Sequence, residues 1–216
     1  MSVDGDGDMP DPVLLIQGTH GYRGSTQDAG AWWWPGDGLY LPSRWVEAAR
    51  AHGLTILSRP GAPFVWATEA TGWWPGRKWA AWKAAAEAAR DYCLAAGATR
   101  VQVVAHSHGG QVAAYLAAMH GRGGALTVSE LVTLGTPVRG DMEGIYQRAR
   151  AGVRWWDAVH GGPGDWWQLA GEAFDGHLGW RRAQRWATRN EALPVGHGEL
   201  MTVATWDRHD LWRFLR

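Results

Sequence analysis

Residues 100–111 do most to limit what this chain can become. They open on a β-branched and apolar run, Val101, Val103, Val104 and Ala105, which predicts a buried strand. From Gln111 to His120 the residues Val112, Tyr115, Leu116 and Met119 stand among alanines and predict a helix. Ser107 lies between the two, with Ala105 two places before it and Gly109 two places after. Side chains that small let a strand reverse abruptly into a helix and leave the serine hydroxyl standing at the corner. The same turn points the helix's first free N–H groups at whatever binds beside that hydroxyl. This is the setting of a nucleophile.

Around that corner the chain alternates short apolar runs with helical stretches. Strands are predicted at 13–17, 54–58, 100–106, 130–134 and 153–160, and helices at 42–50, 77–96, 111–120 and 141–150. One or two further helices are expected within 165–186, and an amphipathic helix at 207–216. Such alternation implies an α/β fold, with a mostly parallel central sheet covered by helices on both faces. Residues 1–11, rich in Asp and Gly, read as a flexible tail, and 12–216 as one domain with a single core. In sheets of this kind ligands bind beyond the carboxyl ends of the strands. Ser107, Thr19, Asp165 and His197 each follow a strand or a suspected strand, so one edge is expected to gather them.

A serine hydroxyl is a weak nucleophile until a base takes its proton, and histidine does this best near neutral pH. A carboxylate behind the histidine fixes its tautomer and stabilises the imidazolium. His197 sits in a Gly-His-Gly loop and is the candidate base; Asp165, after a Gly-rich turn, is the candidate acid. Asp157 is the rival acid, inside a predicted strand and better placed to be buried against it. His106 and His108 flank the serine, and strand alternation or the helix turn is expected to send their rings away from its hydroxyl. The backbone N–H of His108 is well placed to receive an oxyanion, and Thr19 or His20 is the natural source of a second donor.

These residues resemble the α/β-hydrolase family, in particular its small lipase- and esterase-like members. The stretch Ala105-His106-Ser107-His108-Gly109 matches the family's Gly-x-Ser-x-Gly corner, with alanine in first position as in some small bacterial lipases. Gln17-Gly18-Thr19 looks like its His-Gly-x oxyanion loop, and Gly164-Asp165-Trp166 and Val195-Gly196-His197 look like its acid and base loops. Residues 131–137 resemble the segment after the corner helix. The resemblance implies a minimal form of that fold, without a large cap and without the two strands that usually precede the oxyanion loop. It implies a Ser107–His197–Asp165 triad, with an oxyanion hole from Thr19 and His108 and a small or lipid-like ester as substrate. Thioesters, amides and acyl transfer use the same machinery. A non-catalytic, tryptophan-rich binding module on the same scaffold is the alternative from another class.

Seventeen tryptophans in 216 residues is several times the usual share, so their placement matters. Trp32, Trp33, Trp34, Trp66, Trp73 and Trp74 fall in loops on the expected site edge. Most should pin loops, with one or two touching substrate, and Trp34, Trp74 and His20 are the candidates. Trp45, Trp79 and Trp82 fall on helices and are expected in the core. The four-residue unit Trp-Trp-Pro-Gly occurs at 33–36 and 73–76, each time read as a loop exit before a helix.

Composition excludes several classes. Acidic and basic residues number 21 each, which offers no electrostatic case for nucleic acid or an anionic membrane. No apolar h-region or transmembrane-length run is present, so a cytoplasmic protein without integral membrane association is expected. Cys93 is the lone cysteine, which excludes an intrachain disulfide framework; a core position on a helix is expected. The histidines show no metal-binding pair, and residues 18–24 lack both the P-loop lysine and the dinucleotide spacing, so no metal and no cofactor are expected. Arg181, Arg182, Arg185 and Arg189 read as a solvated helix face.

Overall fold

A computed structural model describes residues 10–18, 34–36, 39–41, 44–57, 64–66, 75–120, 124–162, 165 and 183–215; at 34–36, 39–41 and 75–78 the description is of the backbone alone. In chain order the elements are β1 (Val13–Ile16), β2 (Trp34–Gly36), β3 (Leu39–Leu41), α1 (Arg44–Ala51), α2 (Pro75–Ala95), β4 (Arg100–His106) and α3 (Gly109–His120). Then follow β5 (Thr127–Leu134), α4 (Glu143–Gly152), β6 (Trp155–His160), β7 (Arg189–Ala192) and α5 (Val203–Arg208).

The main sheet runs β1-β4-β5-β6-β7, with every neighbouring pair parallel. Its inner strands read as continuous apolar runs because both faces are covered. Leu14, Ile16, Val101, Val103, Ala105 and Leu131 pack on one side with residues of α2, α3 and α4. Val13, Leu15, Val104, Val132 and Leu134 pack on the other with Trp45 and Val46 of α1 and Trp206 of α5. This is an α/β fold, and the described residues contain no inserted cap domain. No helix among them is long and apolar enough to cross a membrane. Cys93 is fully buried on α2, where loss of hydration pushes its thiol up to about 12 and leaves it a small apolar filler.

Several elements differ from expectation, each for a physical reason. Residues 54–57, the described part of the strand expected at 54–58, form no full strand: Ile56 makes a single parallel bridge to Val13, through Val13 N–H to Thr55 and Leu57 N–H to Val13. β7 (Arg-Asn-Glu-Ala) has no apolar run, being a half-exposed edge strand held by its pairing with β6. The predicted 207–216 helix is two pieces, α5 and a 3-10 turn at Leu211–Phe214, because Asp210 adopts a left-handed conformation (φ 51°) between them. The two Trp-Trp-Pro-Gly copies diverge: Pro75 starts α2, whereas Trp34–Gly36 is one strand of a hairpin with β3. Asp11, read as tail, is tied to β4 by Arg100 Nε at 2.6 Å.

Trp45 and Trp82 are wholly buried as expected, but Trp79 is 40% exposed. Trp66 pins its loop, donating its indole N–H to the Gln17 carbonyl at 2.8 Å. Arg189 is no solvated helix residue: it begins β7 and pairs with the buried Asp157 at 2.9 Å.

Candidate active site

The parallel sheet brings successive strand ends to one edge. Gly18 follows β1, Ser107 follows β4, Gly135 follows β5, Asp165 lies beyond β6, and His197 lies beyond β7. Ser107 occupies the β4–α3 corner with φ 52°, a left-handed backbone that costs a non-glycine residue about 1–2 kcal/mol. Its amide is anchored to the Leu134 carbonyl at 2.8 Å, and its own carbonyl accepts from Gly110 at 3.0 Å. Small neighbours make the corner possible. A Cβ at Gly18 would lie 2.7 Å from Cβ of Ser107, and one at Gly109 would lie 2.4 Å from the Gln17 carbonyl oxygen.

Asp165 and His197, 32 residues apart in sequence, meet: Nδ1 of His197 lies 3.0 Å from Asp165 Oδ2. The carboxylate is buried and the imidazole is 13% exposed. A carboxylate only accepts, so Nδ1 carries the hydrogen, and in the neutral ring Nε2 keeps a lone pair able to take a proton. The two loops are stitched together: Gly162 donates to Val195 at 2.9 Å and Asp165 to Gly162 at 2.9 Å. Gly161 leaves room for the acid, since a Cβ there would fall 2.4 Å from Asp165 Oδ2. The rival Asp157 is held inside β6 by Arg189.

His197 also lies against the residues flanking Ser107. A Cβ at Gly135, next to the Leu134 that anchors the Ser107 amide, would stand 2.9 Å from His197 Nδ1. The ring of His106 lies 4.5 Å from that of His197 between centroids, and His106 Nε2 is 3.0 Å from the His197 carbonyl oxygen. Because a carbonyl only accepts, His106 Nε2 is the donor. The expectation was only that this ring points away from the Ser107 hydroxyl; strand alternation had no means of showing that it meets His197. His108, whose N–H is the expected oxyanion donor, stacks its ring over Trp82 at 5.9 Å. The buried Arg139 guanidinium lies 5.2 Å from that indole and is paired with Asp141. Thr19, His20, Trp74 and the Trp34 side chain lie outside the described residues.

Burial, aided by His197 and His108 nearby, holds His106 well below the usual histidine pKa, and the hydrogen bond to His197 opposes the shift only in part. The unfolded chain therefore binds a proton at this residue below about pH 6.5 that the folded chain refuses. Its contribution to stability is full above that pH and is lost as pH falls, with a slope reaching about 1.4 kcal/mol per pH unit. Urea unfolding from about pH 7 to pH 5 should show His106→Gln losing less stability than wild type across this range.

No protein-family model matches the chain, and no curated protein matches it. Among solved structures, the crystal structure of the lin2722 gene product of Listeria innocua is similar over 98% of this chain and 84% of that one, with 15% identity and a TM-score of 0.43. The chemistry therefore rests on the residues themselves.

Proposed function

We propose that the chain is a serine hydrolase of carboxylic esters, working as the small lipase- and esterase-like α/β-hydrolases do. The Asp165–His197 hydrogen bond carries this reading, because it leaves Nε2 of His197 as the proton acceptor on the edge where Ser107 turns its corner. Ser107 Oγ attacks the ester carbonyl as its proton passes to His197 Nε2. The alcohol leaves with that proton, and water, activated by the same nitrogen, releases the acid and restores the serine. Asp165 holds the ring in its tautomer and stabilises the imidazolium. The N–H groups of His108 and Thr19 are the assigned oxyanion donors, each worth about 100- to 1,000-fold in rate. Substrates are small or lipid-like esters of short or medium acyl chain; thioester cleavage and acyl transfer would proceed through the same acyl-enzyme.

A fluorophosphonate tests the reading directly. It should label folded wild type at Ser107 and leave Ser107→Ala untouched, and p-nitrophenyl esters of rising chain length should then define the acyl preference. Folded wild type that takes no label would overturn catalysis and leave the tryptophan-rich binding module.

A further inference from the structure

Resting on the assignment of His197 as the general base, we propose that His106 is a positioning residue that sets the height of His197 through its main chain. A ring held only by Asp165 at Nδ1 still has a backbone free to drift. His197 belongs to a short connection between β7 and the 3-10 turn Gly198–Met201, with glycines on both sides. Its neighbours are tied outward, Val195 to Gly162 and Gly196 to Glu199 Oε2, neither of which lies on β4. Among the described bonds, that from the Nε2–H of His106 joins the His197 main chain to β4, the strand that ends one residue before Ser107.

The geometry suits a fixed strut. His106 is 5% exposed and is the last residue of β4, so its Cα sits one peptide from Ser107 and moves with it. Gly18 lies beside its Nδ1, where a Cβ would fall 3.1 Å away, and its ring stands 4.5 Å from that of His197 at a tilt of 51°. One imidazole thus spans the ends of β1 and β4 and the base loop. Burial keeps it neutral, so its N–H stays committed to the carbonyl and adds no charge beside the ring that must accept a proton. The interaction is mechanical: it fixes where His197 stands relative to Ser107, and misplacing a reacting group by about 1 Å can cost about 100-fold.

The test compares wild type, His106→Leu and His106→Gln by fluorophosphonate titration, steady-state kinetics per titrated site, and proton NMR of the low-field Nδ1–H of His197. Leucine fills the space without a donor, whereas glutamine can place an N–H near the same carbonyl. His106→Leu should lower kcat per site about 10- to 100-fold with KM within about twofold, and should shift or broaden the low-field resonance. His106→Gln should recover most of both. An unchanged kcat and resonance in His106→Leu overturns the proposal, as does equal loss in both variants. If the leucine variant does not fold, His106→Asn, too short to reach, replaces it against the glutamine variant. Wild type that takes no label sinks the hydrolase reading instead, and the resonance then decides by itself whether His106 holds His197.

Discussion

Asp165→Asn should lower kcat for ester hydrolysis about 10⁴-fold, while Asp157→Asn leaves kcat per folded molecule within about twofold. Sequence position favoured Asp165, after a Gly-rich turn, over Asp157 inside a predicted strand, and the environments of the two in the structure differ in the same sense. Asp165 is buried and faces Nδ1 of His197 at 3.0 Å. An amide there can present its NH₂ to Nδ1 and favour the tautomer with the hydrogen on Nε2, which removes the lone pair that takes the serine proton. The fold should survive, since the change is isosteric and the loop is still held by Gly162. Asp157 instead faces Arg189, whose side chain is 39% exposed and can turn to water when its partner is lost. Its replacement should therefore cost stability, about 1–2 kcal/mol, rather than rate. Steady-state kinetics beside urea melts on both variants gives the answer, and comparable kcat losses from the two would refute the assignment of the acid.

What could be read from residues alone follows where side-chain pattern determines structure. β4 and the corner at Ser107 were legible because a buried parallel strand must be apolar throughout and a sharp turn needs small neighbours. The Asp165–His197 pairing was anticipated because Asp165 stands in a glycine-rich turn after a predicted strand, where a parallel sheet gathers its loops, and His197 has a glycine on either side that lets its ring reach inward. β7 escaped notice since it is an edge strand of polar residues, stabilised by backbone pairing that leaves no mark on side-chain type. The break at Asp210 was hidden for a related reason: the apolar spacing of Leu211, Trp212 and Phe214 suits a continued helix, and one left-handed residue redirects it. Trp79 shows the reverse error, a large ring assigned to the core by type although its side of α2 meets solvent. His106 needed a partner 91 residues away, and no local pattern carries that distance.

Gly109→Ala should destabilise the protein by about 3 kcal/mol, although alanine is the better helix former by about 1 kcal/mol. Position 109 is the first residue of α3, where the helix leaves the corner and crosses the end of β1. A Cβ there would sit 2.4 Å from the Gln17 carbonyl oxygen, 2.6 Å from that of Ile16 and 2.9 Å from the Gln17 carbonyl carbon. All three are backbone atoms, one on Ile16 at the end of β1, which pairs with β4, and two on Gln17 just beyond it, so none can swing aside as a side-chain end would. Relief requires α3 to lift from the sheet, which parts Val112, Leu116 and Ala117 from the core and turns the corner that presents Ser107. Gly53 is the contrasting position. A Cβ there meets nothing within 4 Å, and only its positive φ of 78° resists substitution. Gly53→Ala should cost about 1–2 kcal/mol and leave the reactivity of Ser107 unchanged. Thermal melts should therefore place Gly109→Ala about 6–12 °C below wild type, and its fluorophosphonate labelling should slow as well. A Gly109→Ala protein with the melting temperature and labelling rate of wild type would mean that α3 does not rest on the end of β1 as closely as the corner requires.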